Sequence, residues 1–592
     1  MSLVDPDGSV RLSRGRTKQQ LRKGTFSCWE CKRRKKRCSF DGSPAMACVS
    51  CQRFGTECRS QETTEASTST SQDLEERVHH VECLVDQLAK QSTAVTKRAK
   101  HRTSHVVANS TITSPWSMSR CISLSGYLHG VLPVPTIAAQ IVVYGKSPFT
   151  WMWRSAGNPN TVHRSPISSA SDPIALARKL IQLALCLIQP AFIASKPAEF
   201  CIADSAIHET ARGYVRTAQQ VTSQDELVRS VDGLETLLLE GLYQVHNGNM
   251  QNGCMIFRRA LETAQAMGLH QLPATADPRV KYIWFRLAFA NQWHALACGQ
   301  PSALINNGVD AFSCSLTTEP TQRLDELHIG VTGRIIARNM CLSKACYSDA
   351  KAEYLRWNHE NTKDIDSNLK KAARSVPLTW WALPSTPCTT DSEAVDMSAR
   401  LMTQIHQSYL VILTHQPHLL RAFHTLSPQN IHDTDLESVV PYSMLASVDA
   451  SREILVRLPL FLQFPHVPAS LKGLEHKICL AASTILLAYL YLHCQRTASA
   501  LEHRRPRDLN LVPETVARLK KLHESGGDDG QDEQVNIIER LADMEQAAAD
   551  GVVHTVWSEW SAEGQKMSDI FEFDGVVNLS CPYFGRIAVF QP

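Results

Sequence analysis

The sequence has no apolar run long enough to cross a membrane. Its longest apolar stretch, Ile478–Leu492, spans 15 residues and includes Ser483 and Thr484, whereas a membrane-spanning helix needs about 20 predominantly apolar residues. Residues 1–20 are polar and charged and contain no apolar segment typical of a secretory signal. We therefore expect an intracellular protein with no membrane partner, in which Ile478–Leu492 forms a buried core helix.

Motifs of common catalytic sites are missing as well. The region after residue 122 contains no H-E-x-x-H metal pattern, no Gly-rich phosphate loop and no G-x-S-x-G nucleophile turn. His415 and His418 form an isolated pair, which we interpret as ordinary histidines at a helix end. The sequence therefore predicts that the protein is not an enzyme.

Charge is present but unevenly distributed. Of 592 residues, 43% are hydrophobic and 20% are charged, which excludes a wholly disordered chain. Residues 1–60 contain 14 Lys and Arg against 5 Asp and Glu, whereas residues 61–592 contain 47 against 53. A basic N-terminal segment followed by a mildly acidic body predicts a polyanionic partner for the N-terminus.

Cysteines are numerous and clustered. In a reducing compartment the 19 cysteines favour thiols or metal ligands over disulfides. Six of them follow the spacing C-x2-C-x6-C-x9-C-x2-C-x6-C, at Cys28, Cys31, Cys38, Cys48, Cys51 and Cys58. The last three repeat the spacing of the first three after 20 residues, so the motif has the form of an internal duplication.

This spacing predicts a cluster of two zinc ions. Structural Zn²⁺ takes four ligands in a tetrahedron, and thiolates suit it. Two ions have eight coordination positions for only six thiolates, so two cysteines would have to bridge both ions. The repeat leaves three candidate bridging pairs, which are Cys28 with Cys48, Cys31 with Cys51, and Cys38 with Cys58.

A run of six basic residues fills the gap between the second and third cysteines. These residues are Lys32, Arg33, Arg34, Lys35, Lys36 and Arg37. They would offset the negative charge that six thiolates retain after binding two zinc ions. Because the equivalent gap at residues 52–57 contains one basic residue, we expect the first loop to bind DNA and the second to face the protein itself. The basic run also fits a nuclear-localisation signal.

The cysteine pattern and the basic loop resemble those of the fungal zinc binuclear-cluster transcription factors. The resemblance implies two Zn²⁺ ions per chain, with Cys28 and Cys48 bridging both. One ion would also be held by Cys31 and Cys38, and the other by Cys51 and Cys58. The resemblance further implies that a short helix after Cys31 enters the major groove of double-stranded DNA.

The same resemblance assigns roles within the basic loop. It implies that Lys35, with Arg34 beside it, reads guanines of a CGG-type triplet, and that Lys32 and Arg37 contact phosphate. Lys or Arg donating to guanine O6 and N7 is a common direct base contact. Since one triplet gives little selectivity, two half-sites are expected.

A short hydrophobic seam follows the cysteines. The seam residues recur at intervals of 4, 3, 4 and 3 and are Leu74, Val78, Val81, Val85 and Leu88. This heptad spacing predicts a short coiled coil that forms a homodimer. The alternative is an amphipathic helix packed on its own chain, because two heptads are marginal in isolation.

The middle of the chain has the pattern of an all-α domain. Apolar residues follow helical spacing between Pro and Gly, with few alternating runs typical of strands. Leu234–His246 and Cys254–Met267, joined by Asn247-Gly248-Asn249, predict an αα-hairpin. Further helices are expected at Tyr282–Ala297 and at residues 176–188, 396–422, 443–458 and 474–496.

This region also resembles the helical fungal-specific transcription-factor domain. The similar stretches are Leu234–His270, Tyr282–Leu304 and Ile365–Trp381. The resemblance implies a regulatory domain that inhibits activation or senses a metabolite, and it identifies no ligand-contacting residue.

The C-terminal region mixes aromatic and acidic residues. Trp557, Trp560, Ile570, Phe571 and Phe573 are interleaved with Asp and Glu. This mixture fits an activation segment that binds a coactivator. A last helix and strand docked on the body is the equal alternative.

The sequence thus predicts a mainly α protein in seven segments. They are a disordered basic arm (1–27), a zinc binuclear-cluster DNA-binding domain (28–58), a flexible linker (59–73), a short coiled coil (74–92), a second linker (93–121), an all-α regulatory domain (122–522) and an acidic and aromatic tail (523–592). We expect a nuclear, sequence-specific DNA-binding regulator of RNA polymerase II transcription, controlling a metabolic gene cluster as the family context suggests. The alternative is a metabolite-binding or enzymatic helical protein in which the zinc module serves only for docking or localisation.

Overall fold

The protein divides into two units, residues 1–113 and residues 114–592. The computed structural model describes residues 28–39, 47–56, 58, 118–145, 168–189, 192–193, 204–273, 275–304, 319–345, 351–384, 388–424, 434–464, 471–495, 501–524, 532–558 and 575–591. The first unit contributes two short helices, α1 (Trp29–Arg33) and α2 (Val49–Arg53).

Several predicted segments lie outside these described residues. They are the basic arm (1–27), the linker (59–73), the coiled coil (74–92) with its seam from Leu74 to Leu88, and most of the second linker. These assignments therefore stay predictions.

The second unit is built mainly from helices. In chain order they are α3 (Met118–Val131), α4 (Pro135–Tyr144), α5 (Pro173–Leu187), α6 (Asp204–Thr222), α7 (Asp225–Val228), α8 (Val231–His246), α9 (Met250–Ala266), α10 (Pro278–Ala297), α11 (Pro320–Ala345), α12 (Lys351–Arg374), α13 (Leu378–Trp381), α14 (Asp391–His424), α15 (Thr434–Phe461), α16 (Leu471–Gln495), α17 (Arg505–Leu509), α18 (Leu511–Glu524) and α19 (Asp532–Ala549). The prediction of a mainly α fold is confirmed.

Local sequence explains where two of the long helices begin. Before α5, the Asp172 side chain accepts a hydrogen bond from the Ile174 amide at 2.7 Å, and Pro173 occupies the first helical position. Before α10, Asp277 caps the helix in the same way and is again followed by a proline. An acidic cap satisfies a free amide, and proline has no amide to satisfy, so both starts are favourable.

Helices α8 and α9 form the predicted hairpin. The Ser230 hydroxyl accepts a hydrogen bond from the Gly233 amide at 2.9 Å and starts α8. Gly248 turns the chain between the helices at a φ of 84°, a conformation that glycine adopts without steric cost. The two helices are in close contact, because a Cβ at Gly241 would stand 2.4 Å from a ring atom of Phe257 on α9.

Helix α16 lies in the hydrophobic core. Its segment Gly473–His493 is the one single helix among the described residues that is long and apolar enough to cross a membrane, and 67% of its most apolar window is buried inside the fold. Helices α3 and α4 would be long and apolar enough to cross a membrane only if the two are counted as one span bent by 65°. Ile478 and Ile485 are completely buried, which confirms the predicted core helix.

A small antiparallel sheet completes the described part of the second unit. Its strands are β1 (Thr555–Ser558), β2 (Val577–Cys581) and β3 (Gly585–Phe590), in the order β1-β3-β2. Val556 pairs with Val589, and both are buried in the same core as the helices. The sequence had assigned these strands to a tail.

The C-terminal boundary therefore differs from the predicted one at residue 522. Helix α18 crosses that position, and α19 follows it in the same core. In the described part of residues 523–592, these elements agree with the alternative of a helix and strand docked on the body. Trp557 lies in β1, whereas Trp560, Ile570, Phe571 and Phe573 are outside the described residues.

Candidate metal centre and nucleic-acid interface

The duplicated cysteine spacing produces two similar turns of helix. Cys28 and Cys48 stand at the N-cap positions of α1 and α2. The backbone amide of Cys28 donates to the Cys38 sulfur at 2.9 Å, and that of Cys48 donates to the Cys58 sulfur at 3.3 Å. Each half of the motif is thus a short helix followed by a loop, which brings the third cysteine back to the first.

The two halves bring their thiols together. The sulfur atoms of Cys28, Cys31, Cys48 and Cys51 all lie within 4.8 Å of one another, and all four residues are buried. Contacts join the halves, since the Cys28 and Cys51 sulfurs are 3.5 Å apart and those of Cys31 and Cys48 are 3.6 Å apart. The sulfurs of Cys38 and Cys58 lie at the edge of this group and are partly buried.

The chemistry of these sulfur donors fits zinc. Burial would raise the pKa of the Cys28 thiol, but hydrogen bonds from the Cys31 amide and from neighbouring thiols lower that pKa to about 6. Burial raises the pKa of the Cys31 thiol. Thiols this close cannot all ionise unless cations compensate their charge. Zn²⁺ supplies that charge and prefers tetrahedral thiolate ligands.

The basic loop is exposed along its whole length. Each residue from Lys32 to Arg37 is exposed to solvent. Two of the six are held by Glu30, whose carboxylate lies 2.6 Å from the Arg33 guanidinium and 2.8 Å from that of Arg34. Hydrogen bonds from Arg33, assisted by Arg34, lower the pKa of Glu30 to about 2, so this carboxylate remains ionised at neutral pH.

Arg34 also connects the two halves of the motif. Its guanidinium lies 4.9 Å from the centre of the Phe54 ring, which belongs to the second half. A cation above an aromatic ring is attracted to the negative face of the ring. Within the described residues, Lys35 and Arg37 are exposed and form no ion pair.

Glu30 and Phe54 were not identified from the sequence. The signal for Glu30 was available, because Arg33 and Arg34 follow it at the i+3 and i+4 positions of a helix. Phe54 carried no comparable signal, since its contact with Arg34 depends on how the two halves pack.

Lys35 has an unusual backbone conformation. Its φ is 53°, and its equivalent in the second half, 20 residues later, is Gly55 with a φ of 61°. Both residues follow the end of a short helix. Glycine adopts this left-handed conformation freely, whereas a residue with a Cβ is strained there.

The isolated histidine pair is placed differently from the prediction. His415 and His418 lie well inside α14 and are buried, so their interpretation as helix-end residues was wrong. The ring of His415 is 3.1 Å from the Ser443 hydroxyl, and that of His418 is 3.2 Å from the Thr362 hydroxyl. In the part of the chain that the structure describes, the cysteines form the only group of three or more side chains arranged to hold a metal.

Comparison with known proteins identifies the N-terminal module. Residues 26–67 match the model of the fungal Zn(2)-Cys(6) binuclear cluster domain. The match includes all six cysteines and the basic loop. The predicted resemblance and the predicted two-zinc module are confirmed.

Curated relatives extend the similarity along most of the chain. A dehydrocurvularin biosynthesis regulator of Alternaria cinerariae is 26% identical over 626 residues, covering 97% of this chain and 77% of that protein. The regulator of the same name from Aspergillus terreus is 26% identical and covers 97% of this chain and 80% of its own length. Transcription factor sdnS of Sordaria araneosa is 26% identical, with shares of 88% and 76%. No solved structure matches the chain.

Proposed function

We propose that this chain, which carries a fungal Zn(2)-Cys(6) binuclear cluster domain, is a nuclear, sequence-specific transcription factor that regulates RNA polymerase II transcription of a biosynthetic gene cluster. The observation that carries the proposal is the exposed basic loop held on a buried cluster of thiols. The relatives support the biological role, because two of them are named as regulators of a biosynthesis and a third as a transcription factor.

The zinc ligands are proposed to be all six cysteines, with Cys28 and Cys48 shared by both ions. The neighbours of the two outer thiols support this choice. The Cys38 thiol interacts with Cys28, Cys31 and Cys48, and the Cys58 thiol interacts with Cys28, Cys48 and Cys51. Cys28 and Cys48 are the two residues common to both sets, as a bridging pair must be.

Bound zinc would neutralise thiolate charge and cross-link the two halves. The protein itself positions the basic loop. Helix α1 places the loop next to the thiols, the Glu30 carboxylate fixes Arg33 and Arg34, and Phe54 supports the Arg34 guanidinium. With these cations fixed, the loop has a defined shape against which DNA can be aligned.

Lys35 is proposed to make the direct base contact. Its ammonium is exposed and can donate to O6 and N7 of guanine in the major groove. Arg34 lies beside it, and Lys32 and Arg37 are proposed to contact phosphate, while Arg33 and Lys36 add to the positive surface. The target is proposed to be a CGG-type triplet.

A single triplet provides little selectivity, so the proposal includes a homodimer on two half-sites. Each base contact discriminates by about 1–3 kcal/mol. The dimer is proposed to form through the heptad seam at Leu74, Val78, Val81, Val85 and Leu88, and a coactivator is proposed to bind the aromatic and acidic C-terminal segment. The linker of residues 59–73 would then span about 20 Å on average and help set the half-site spacing.

The test is selection of binding sites from random DNA by the full chain, with Lys35→Ala as the variant. We expect the wild type to select guanine-containing triplets and Lys35→Ala to lose that preference, by about tenfold or more in affinity ratio. Arg53→Ala is the matched control, because Arg53 is an exposed basic residue of the second half. It should leave the preference unchanged.

The proposed base contact is wrong if Lys35→Ala selects the same sequences as the wild type. A uniform loss of affinity across all sequences would mean that Lys35 contacts phosphate only. Wild-type protein with no sequence preference would favour the alternative of a zinc module that serves only for docking.

A further inference from the structure

The second unit contains a cavity that the proposed function does not use. Its volume is about 160 Å³, and it lies between helices α8, α10, α14 and α16. Its lining includes Leu242 from α8, Trp293 from α10, Tyr409 from α14 and Lys477 from α16. A cavity of about 150 Å³ in a protein core is large enough for one benzene ring, so the space fits a single substituted ring.

Flat aromatic side chains form one wall of this cavity. Trp293 stacks on His406 with ring centres 4.3 Å apart. The Trp293 ring is also 5.9 Å from Tyr409 and 5.7 Å from Phe289. Such a wall offers a large planar surface, on which an aromatic ligand would pack in an offset or edge-to-face arrangement.

The charge of the lining is positive. Its charged residues are Arg286 and Lys477, and no Asp or Glu is among the lining residues. Burial lowers the pKa of His246 to about 3 and the pKa values of His294 and His476 to about 4. These histidines are therefore neutral at pH 7 and add no charge.

Lys477 is the lining cation without a carboxylate partner among the described residues. Its ammonium donates to the Gly473 carbonyl of its own helix at 3.0 Å and lies 5.2 Å from the Tyr409 ring and 5.6 Å from the Trp293 ring. The Lys477 side chain lines the cavity and is half-buried, and burial lowers the pKa of its ammonium to about 8. At pH 7 it remains mostly protonated, and a desolvated cation is costly until an anion pairs with it.

Three buried polar atoms of the lining also have no hydrogen-bond partner within the described residues. They are Trp293 Nε1, His406 Nδ1 and His246 Nδ1. Buried polar atoms are nearly always paired in folded proteins, so each unpaired atom requires an explanation. These three atoms have almost no accessible surface, so a ligand in the cavity would contact them only if lining side chains moved.

We propose that this cavity binds a small aromatic carboxylate, with its ring against Trp293 and Tyr409 and its carboxylate on the Lys477 ammonium. The ring matches the volume and the flat wall, and the carboxylate matches the positive lining. This binding site goes beyond DNA recognition and is independent of it. Its test therefore uses no DNA.

Isothermal titration calorimetry of the full chain at pH 7 tests the proposal, with benzoate and its neutral isostere benzamide as probes. We expect benzoate to bind at one site per chain, about tenfold or more tightly than benzamide, because a hydrogen bond to a charged group contributes more than one between neutral groups. Failure of benzoate to bind, or equal binding of the two probes, would overturn the proposal.

Variants locate the site. Lys477→Met removes the ammonium and keeps an unbranched side chain, so benzoate affinity should fall to that of benzamide. Ala297→Leu fills the cavity from α10, where Ala297 is a lining residue, and should abolish binding of both probes. Lys371→Met changes an exposed lysine of α12 and is the matched control. Unchanged benzoate binding in either Lys477→Met or Ala297→Leu would show that the probe binds elsewhere.

Discussion

At the scale of single residues, the most informative pair is Lys35 and Gly55. They occupy equivalent left-handed positions in the two halves of the cysteine motif. Lys35 carries the exposed ammonium that we propose for base recognition, and its backbone strain accompanies that role. Strained residues are often found at functional sites, where the surrounding structure holds them in place.

We predict that glycine retains zinc more strongly than alanine at both of these positions. Lys35→Gly relieves the strain and should retain zinc against a competing chelator more strongly than Lys35→Ala, by about fivefold, which corresponds to about 1 kcal/mol. Gly55→Ala should weaken zinc retention, because alanine is strained at a φ of 61°. The added Cβ would meet no atom within 4 Å, so the effect is confined to the backbone. Equal retention by all three variants would contradict the strain argument.

At the residue scale, the prediction that was confirmed is the two-zinc module. The cysteine repeat indicated a two-zinc module, because ligand number and thiolate preference constrain the possibilities. The pairing of Glu30 with Arg33 and Arg34 was detectable at helical spacing but was missed. The contact of Arg34 with Phe54 joins residues on two different helical turns, so no local pattern could reveal it.

At the scale of secondary-structure elements, the α8–α9 hairpin shows why helices were predictable and strands were not. Its apolar periodicity extends over long helices, and Gly248 marks the turn. The strands contain only four to six residues, and β2 has no strict alternation of buried and exposed positions. Short apolar runs of this kind cannot be assigned to strand or helix from periodicity.

The close packing of this hairpin gives a prediction about stability. Gly241→Ala should destabilise the second unit by about 1–3 kcal/mol, because the new methyl group would clash with the fully buried ring of Phe257. Gly213→Ala is the matched control in helix α6, where a Cβ meets no atom within 4 Å. It should stabilise the protein by up to about 1 kcal/mol.

Thermal unfolding of the full chain, followed by circular dichroism, compares the two alanine variants with the wild type. The transition should move to lower temperature for Gly241→Ala and to higher temperature for Gly213→Ala. A transition of Gly241→Ala at or above the wild-type temperature would contradict the tight packing of Gly241 against Phe257.

At the scale of the whole molecule, the two units depend on different forces. In its described residues, the first unit has a small core made of cysteines, whereas the second has a large apolar core to which helices and strands both contribute. Within the described residues of the second unit, no group of side chains is arranged to hold a metal. Metal binding and folding should therefore be coupled in the first unit only.

Removal of zinc tests this division. A strong chelator should abolish specific DNA binding by the full chain while leaving most of the helical circular dichroism signal and its thermal transition in place. Restoring zinc should restore binding. Loss of most of the helical signal on chelation would mean that the second unit also requires the metal.

The dual role of the Cys28 sulfur has a chemical consequence. This atom accepts the Cys31 amide in the first turn of α1, and it is one of the two sulfurs that we propose both ions share. Alkylation or oxidation of this single atom would therefore remove the side-chain cap of the helix that leads into the basic loop and a ligand of both ions at once. Reaction of an electrophile at this one position would therefore abolish the proposed sequence-specific DNA binding.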